Sequence, residues 1–112
     1  MPCLFVHTNI EVADKADFLA HCSAVTGAAL GKPESYVMVE LSDNRPMLFA
    51  GSDAPLAFLE LKSLGLSTDQ TAGISEKLCA LMQQQLGIDP ARVYIEFAAP
   101  ERAMFGWKGG TF

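Results

Sequence analysis

The chain repeats itself. Gly31-Lys-Pro-Glu-Ser-Tyr-Val-Met-Val-Glu-Leu41 aligns without a gap on Gly87-Ile-Asp-Pro-Ala-Arg-Val-Tyr-Ile-Glu-Phe97, 56 residues further on. The glycine, a valine and the glutamate coincide, and the other apolar positions agree in kind. A helical pattern precedes each segment. The first runs from about Asp14 to Leu30, with Phe18, Cys22, Val25 and Ala29 on one stripe. The second runs from about Asp69 to Leu86, with Ile74, Leu78, Leu81 and Met82 spaced similarly. The repeated glycine suits a helix C-cap, and the β-branched run after it suits a strand. Another strand precedes each helix, at Cys3 to Thr8 and at Ala57 to about Ser63. The order is therefore β-α-β, twice.

That order leaves few folds open. A β-α-β unit sets its strands parallel, with the helix crossing one face. Two such units predict a four-stranded mixed sheet with two helices on one face, an α+β sandwich. The halves, about 1–50 and 51–112, form one domain, joined by the turn Ser42 to Pro46, a short strand Met47 to Ala50 and the loop Gly51 to Pro55. A short C-terminal strand involves Gly106-Trp107 and Thr111-Phe112. Val37, Val39, Leu41, Val93, Ile95 and Phe97 share the face that the helices should cover. Tyr36, Met38, Glu40, Arg92, Tyr94 and Glu96 fall on the other, a mixture that suits burial against another subunit or the lining of a polar site.

Composition narrows the function. Half of the 112 residues are hydrophobic and 19% are charged, which predicts a large core or a second buried surface in an oligomer. A net charge of −5 argues against nucleic acid or an anionic membrane as partner. No apolar run approaches the ~20 residues of a membrane span, and no secretory signal pattern opens the chain. A cytoplasmic protein is expected, with leaderless secretion left open. Cys3, Cys22 and Cys79 are too scattered for a disulfide framework and read as small buried hydrophobes. His7 and His21 have no metal-ligand spacing with each other or with the cysteines, so no metal is expected. There is no phosphate loop, nucleophile elbow or paired-carboxylate signature, and Gly109-Gly110 reads as a turn.

Pro2 is the residue with chemistry to offer. Initiator methionine is normally trimmed before a small second residue, and the mature chain would then begin with a secondary amine. Joined to Met1, the same nitrogen is an amide without basicity. An α-amino group titrates near ~8, and apolar burial lowers that value toward the range where general bases work best. The apolar run Cys3-Leu4-Phe5-Val6 supplies such a setting.

Further residues complete a family pattern. Met1-Pro2 before a strand, Thr8-Asn9, Gly31-Lys32-Pro33, Lys62-Ser63-Leu64-Gly65, Arg92-Val93-Tyr94-Ile95, and Gly106-Trp107 with Thr111-Phe112 keep their order over nearly the whole chain. The chain resembles the macrophage migration inhibitory factor branch of the tautomerase superfamily. The resemblance implies a homotrimer with three sheets around a central channel and active sites between neighbouring subunits. It implies cofactor-free keto–enol tautomerisation of α-keto acids such as phenylpyruvate, with Pro2 as catalytic base. Lys32 would hold the substrate carboxylate, stabilise the enolate and, by its charge, help keep the Pro2 amine unprotonated. Ser63 and Leu64 match the loop whose backbone amide helps bind the carboxylate. Tyr94 would come from the adjacent subunit, and Phe105, Trp107 and Phe112 would form an apolar wall.

Departures from the family limit what is carried over. Glu96 stands where the animal proteins have asparagine near the substrate's far end, and a carboxylate there alters substrate preference. Leu56-Ala57-Phe58-Leu59 replaces the Cys-x-x-Cys motif, so family-type thiol oxidoreductase activity is not expected. Leu66 occupies a lysine position of the animal protein. Taken alone, Lys32 is a solvated lysine after a helix, and its repeat counterpart is Ile88. The alternative to an enzyme is a binding or cytokine-like signalling protein on the same scaffold with a vestigial pocket, which leaves room for a protein receptor.

Overall fold

The computed structural model describes all 112 residues. Strand β1 (Cys3–Thr8) leads through helix α1 (Lys15–Leu30) to β2 (Met38–Ser42). Strand β3 (Ala57–Lys62) leads through α2 (Thr71–Leu86) to β4 (Val93–Ala98). A hairpin of β5 (Gly106–Trp107) and β6 (Gly110–Thr111) closes the chain. The sheet order is β2-β1-β3-β4. Each crossover joins parallel neighbours, and the two units meet antiparallel along β1 and β3. This is the expected mixed sheet.

Strand register refines the repeat. Cys3 lies beside Met38, and Phe58 lies beside Tyr94. Met38 and Tyr94 are 56 residues apart, whereas Cys3 and Phe58 are 55 apart. The second unit thus carries one more residue between its first strand and its helix. Pro2 therefore corresponds to Ala57, and Lys32 to Ile88.

The core lies between sheet and helices. Leu4, Val6, Leu59 and Leu61 from the central strands meet Phe18 and Cys22 of α1 and Ile74, Leu78 and Met82 of α2, all buried. Asp14 caps α1 by accepting from the Asp17 amide at 3.0 Å, as an N-cap should. Gly31, in the left-handed region at φ 64°, ends it. Its amide donates to Ala28 O, and the Lys32 amide donates to Gly27 O at 2.9 Å. This double return turns the chain back over the helix end. Gly27 must remain a glycine for the return to fit, because a Cβ there would stand 2.9 Å from the Lys32 carbonyl oxygen.

Four local expectations are corrected. Helix α2 begins at Thr71 rather than Asp69, because Ser67 to Gln70 form a turn held by their own side chains. The Ser67 amide donates to Gln70 Oε1 at 3.0 Å, and Thr71 Oγ1 donates to Thr68 O at 3.0 Å. Met47 to Ala50 is not a strand. Positive φ at Ala50 and Gly51 folds it into a tight turn with a single bridge between Phe49 and Ser52. The last strand is Gly110–Thr111, one residue earlier than expected, because Lys108 and Gly109 make a two-residue turn with positive φ. Of the cysteines only Cys22 is buried, its thiol pushed by burial up to about 12; Cys3 and Cys79 are half-buried.

Arg92 explains why the Met47–Pro55 loop keeps its shape. Its guanidinium donates to the carbonyls of Phe49, Ser52, Ala54 and Pro55 and stacks over the Phe49 ring at 5.2 Å. The loop's amides already pair Phe49 O and Ser52 O with each other, and the guanidinium adds a second donor to both while also serving Ala54 O and Pro55 O.

Candidate active site

The amino end of β1, the turn after α1 and the C-terminal hairpin converge. Pro2 is fully buried, and its carbonyl accepts from the Met38 amide at 3.0 Å, which pins the start of β1 to β2. Beside it, a hollow of about 270 Å³ is lined by Met1, Lys32, Leu64, Trp107 and Phe112, with Tyr36 and Arg102 completing the wall. A second hollow of about 240 Å³ adjoins it at Met1 and Trp107 and reaches Cys3, Met38 and Phe105.

Lys32 bridges the two halves here. Its ammonium donates to Ser63 Oγ at 3.0 Å and to Leu64 O at 2.8 Å. Ser63 is 1% exposed and donates its own amide to Ala98 O, so the lysine is held by a fixed partner. The aromatic wall is also fixed. Trp107 stacks on Phe112 at 5.6 Å, Phe105 leans on Phe112 at 5.9 Å, and Tyr36 meets Trp107 edge-on at 6.3 Å.

The Met1 α-amino group is shifted at this site. It lies below the ordinary α-amino value, mainly because burial penalises its charge and next because of the Lys32 ammonium. Cys3 acts in the opposite direction, and Arg102 adds a smaller lowering. Desolvation and like charge both favour the neutral, basic form.

Two expected residues stand apart within one chain. Tyr94 pairs with Phe58, whose partner on β1 is His7, and Glu96 pairs with Glu60, whose partner is Phe5. Tyr94 is therefore two strands away and five residues along β1 from Pro2, about 16 Å in the strand direction alone. It is 65% exposed and rests on Phe49 at 4.8 Å. Neither Tyr94 nor Glu96 lines either of the two hollows at the amino end.

Tyr36 and Arg102 are the residues that sequence reasoning missed at this end. Strand alternation places Tyr36, four positions after Lys32, only on the open sheet face. Arg102 sits in the short turn Arg102–Met104, where no periodicity gives it a direction. Its nearness in sequence to Gly106-Trp107 was the available signal. A larger, shallow hollow of about 760 Å³ opens at Asn9, Arg45, Met47 and Asp53, past the opposite end of β1. Its size does not make it the better candidate. Asn9 there is occupied in tying Asp53 O to the Leu56 amide, and the amine lies at the other end of the strand.

Two β-α-β units that together form one four-stranded mixed sheet, with the amino end beside an aromatic hollow, define a tautomerase-superfamily fold. The family profile described as macrophage migration inhibitory factor (MIF) matches residues 1–112. The MIF homolog of Trichinella spiralis is 38% identical over 114 residues, covering all of both chains. The factor of Mus musculus is 35% identical, over all of this chain and 99% of its own. Among solved structures, the MIF homologue from Prochlorococcus marinus superposes with a TM-score of 0.93 at 37% identity, over 98% of each chain. This chain belongs to the macrophage migration inhibitory factor family.

Proposed function

We propose that the protein is a cofactor-free keto–enol tautomerase of α-keto acids such as phenylpyruvate, acting as a homotrimer with Pro2 as the base. The observation that supports this most directly is the shared position of the Met1 amine, next to Pro2, with the Lys32 ammonium and the aromatic wall at one hollow. Loss of Met1 would leave the Pro2 nitrogen facing that hollow as a secondary amine, desolvated and beside a fixed like charge.

The reaction follows from those groups. The neutral Pro2 nitrogen takes a proton from the carbon next to the keto group. The C–H electron pair becomes the carbon–carbon double bond, and the carbonyl pair moves onto oxygen. The prolinium then returns the proton to that oxygen, giving the enol. Lys32 holds the carboxylate and offsets the negative charge that builds up on the enolate. The Leu64 amide, which has no acceptor within the chain, is free to donate to the same carboxylate. Phe105, Trp107 and Phe112 accept the aromatic ring, and the buried Ser63 positions Lys32.

Assembly supplies what one chain lacks. Met38, Leu48 and Tyr94 are 63%, 71% and 65% exposed, an apolar surface suited to subunit contact. In a trimer Tyr94, and Glu96 on the same strand face, would reach the hollow of a neighbour. Intact-mass spectrometry should find Met1 absent, and light scattering at micromolar concentration should find a trimer. Ketonisation of phenylpyruvate enol, followed in the ultraviolet, should be accelerated by that species. A retained Met1 would remove the base, and a monodisperse monomer would contradict the shared site.

A further inference from the structure

The hollow at the amino end holds a cation with no role in the reaction above. Arg102 lines it together with Met1, Lys32 and Trp107. The chain's ion pairs lie elsewhere, at His7–Glu60, Lys15–Asp43 and His21–Asp17. The contrast with Arg92, whose donors are taken by four carbonyls, is direct. Lys32 has already committed two of its three hydrogens, to Ser63 and Leu64. The unspent guanidinium is thus the larger reserve of donors in the hollow, and no Asp or Glu side chain lines it.

Charge distribution points the same way. The protein carries −5 overall with only eight basic residues. Two of the eight line this one hollow, and Lys108 lies 5.7 Å from the Trp107 ring. Glu101, the nearest acid in sequence, is exposed and makes no pair with Arg102. Arg102 also acts on the amine, lowering its proton affinity along with Lys32.

We propose that Arg102 determines specificity at this site, and that the preferred ligand is an α-keto acid bearing a second anionic group, with one anion at Lys32 and the other at Arg102. The keto-acid part rests on the tautomerase function; the pair of anion positions does not. Arg102 is exposed, so water screens it and the discrimination is about fivefold rather than hundredfold. Glu96 of a neighbouring chain would oppose it, repelling a second anion.

The test uses the intact assembled protein and two stable, planar ligands of equal size: trans-4-carboxycinnamate, a dianion, and trans-4-carbamoylcinnamate, a monoanion. Calorimetry gives the two dissociation constants. Quenching of Trp107, the only tryptophan, reports that each ligand occupies this hollow. The dianion is expected to bind about fivefold more tightly at low salt, with the ratio falling as salt rises. Arg102→Ala should bring the ratio to about one, Arg102→Lys should keep most of it, and Arg102→Glu should invert it. Glu96→Gln should raise it. A ratio near one in the unmodified protein, a ratio unchanged by Arg102→Ala, or no binding of either ligand would overturn the proposal. Binding needs no turnover. A protein inactive on phenylpyruvate that still shows the Arg102-dependent ratio would sink the tautomerase function and support the anion pair.

Discussion

In the first half of the chain β1 follows directly on Met1 and Pro2; its counterpart β3 follows Leu56, a buried residue in mid-chain. After α1 comes Lys32, half-buried, with its ammonium reaching across to Ser63 and Leu64. After α2 comes Ile88, with none of its surface exposed, filling the core. The helix ends differ as well. The Lys32 amide returns to Gly27 O, five residues back, whereas the Ile88 amide returns to Met82 O, six back. Tyr36 faces Trp107, while its repeat counterpart Arg92 is taken up by loop carbonyls. Two copies of one backbone plan thus yield a scaffold from their likeness and a site from their differences. The proposed chemistry would sit where one half has Pro2 and Lys32 and the other has Ala57 and Ile88.

Exchanging the differing residues should break the comparison most sharply. Ile88→Lys would bury an unpaired ammonium among Leu78, Met82 and their neighbours. It should cost about 3–5 kcal/mol of stability in chemical denaturation, with no new site gained. The reverse change, Lys32→Ile, should leave the fold intact. It should lower kcat/KM for α-keto acids by roughly 100-fold or more, with a smaller loss on their methyl esters. Equal losses on acid and ester would make Lys32 a structural residue. Gly27→Ala tests how the first half places its lysine. The added methyl would meet the Lys32 carbonyl oxygen at 2.9 Å, so about 1–3 kcal/mol of stability should be lost together with some activity. A stable, fully active variant would show that the close return after α1 does not position Lys32.

The smallest expected effect concerns the amine. The Met1 α-amino pKa lies below the ordinary value, first through burial and then through Lys32, and a freed Pro2 amine would meet the same two influences. Removing the like charge should therefore raise it. In an NMR titration of the amino-terminal group, Lys32→Ala should move the midpoint upward, toward but not reaching ~8, because burial remains. Lys62→Ala should leave it in place, since Lys62 is not among the charges acting on the amine. A midpoint unmoved by Lys32→Ala would separate the two groups.

Most of this architecture is legible in the sequence because it repeats and is periodic. Gly31 and Gly87 mark both helix ends, and the alternation of Val37 to Leu41 and Val93 to Phe97 marks both outer strands. Met47 to Ala50 misleads because an apolar run resembles a strand; the positive φ of Ala50 that folds it into a turn carries no glycine signature at that position. Lys32 is legible only beside Pro2 and through the family pattern Gly31-Lys32-Pro33, since taken alone it reads as a solvated lysine after a helix. Arg102 is not, because side-chain direction in a three-residue turn depends on the chain around it. Tyr94 and Glu96 show the further limit, since their strand places them about 16 Å and about 10 Å along the sheet from Pro2, and the role proposed for them needs a second chain.

The most direct test of the account compares phenylpyruvate tautomerisation by Met1-processed protein with that by protein carrying one extra residue before Pro2. Both should fold and assemble alike. The first should be active and the second slower by at least about 100-fold, because the added peptide bond removes the base. Equal activity in the two would contradict the role of Pro2. Inactivity of both, with fold and trimer intact, would favour a binding protein whose pocket no longer turns over.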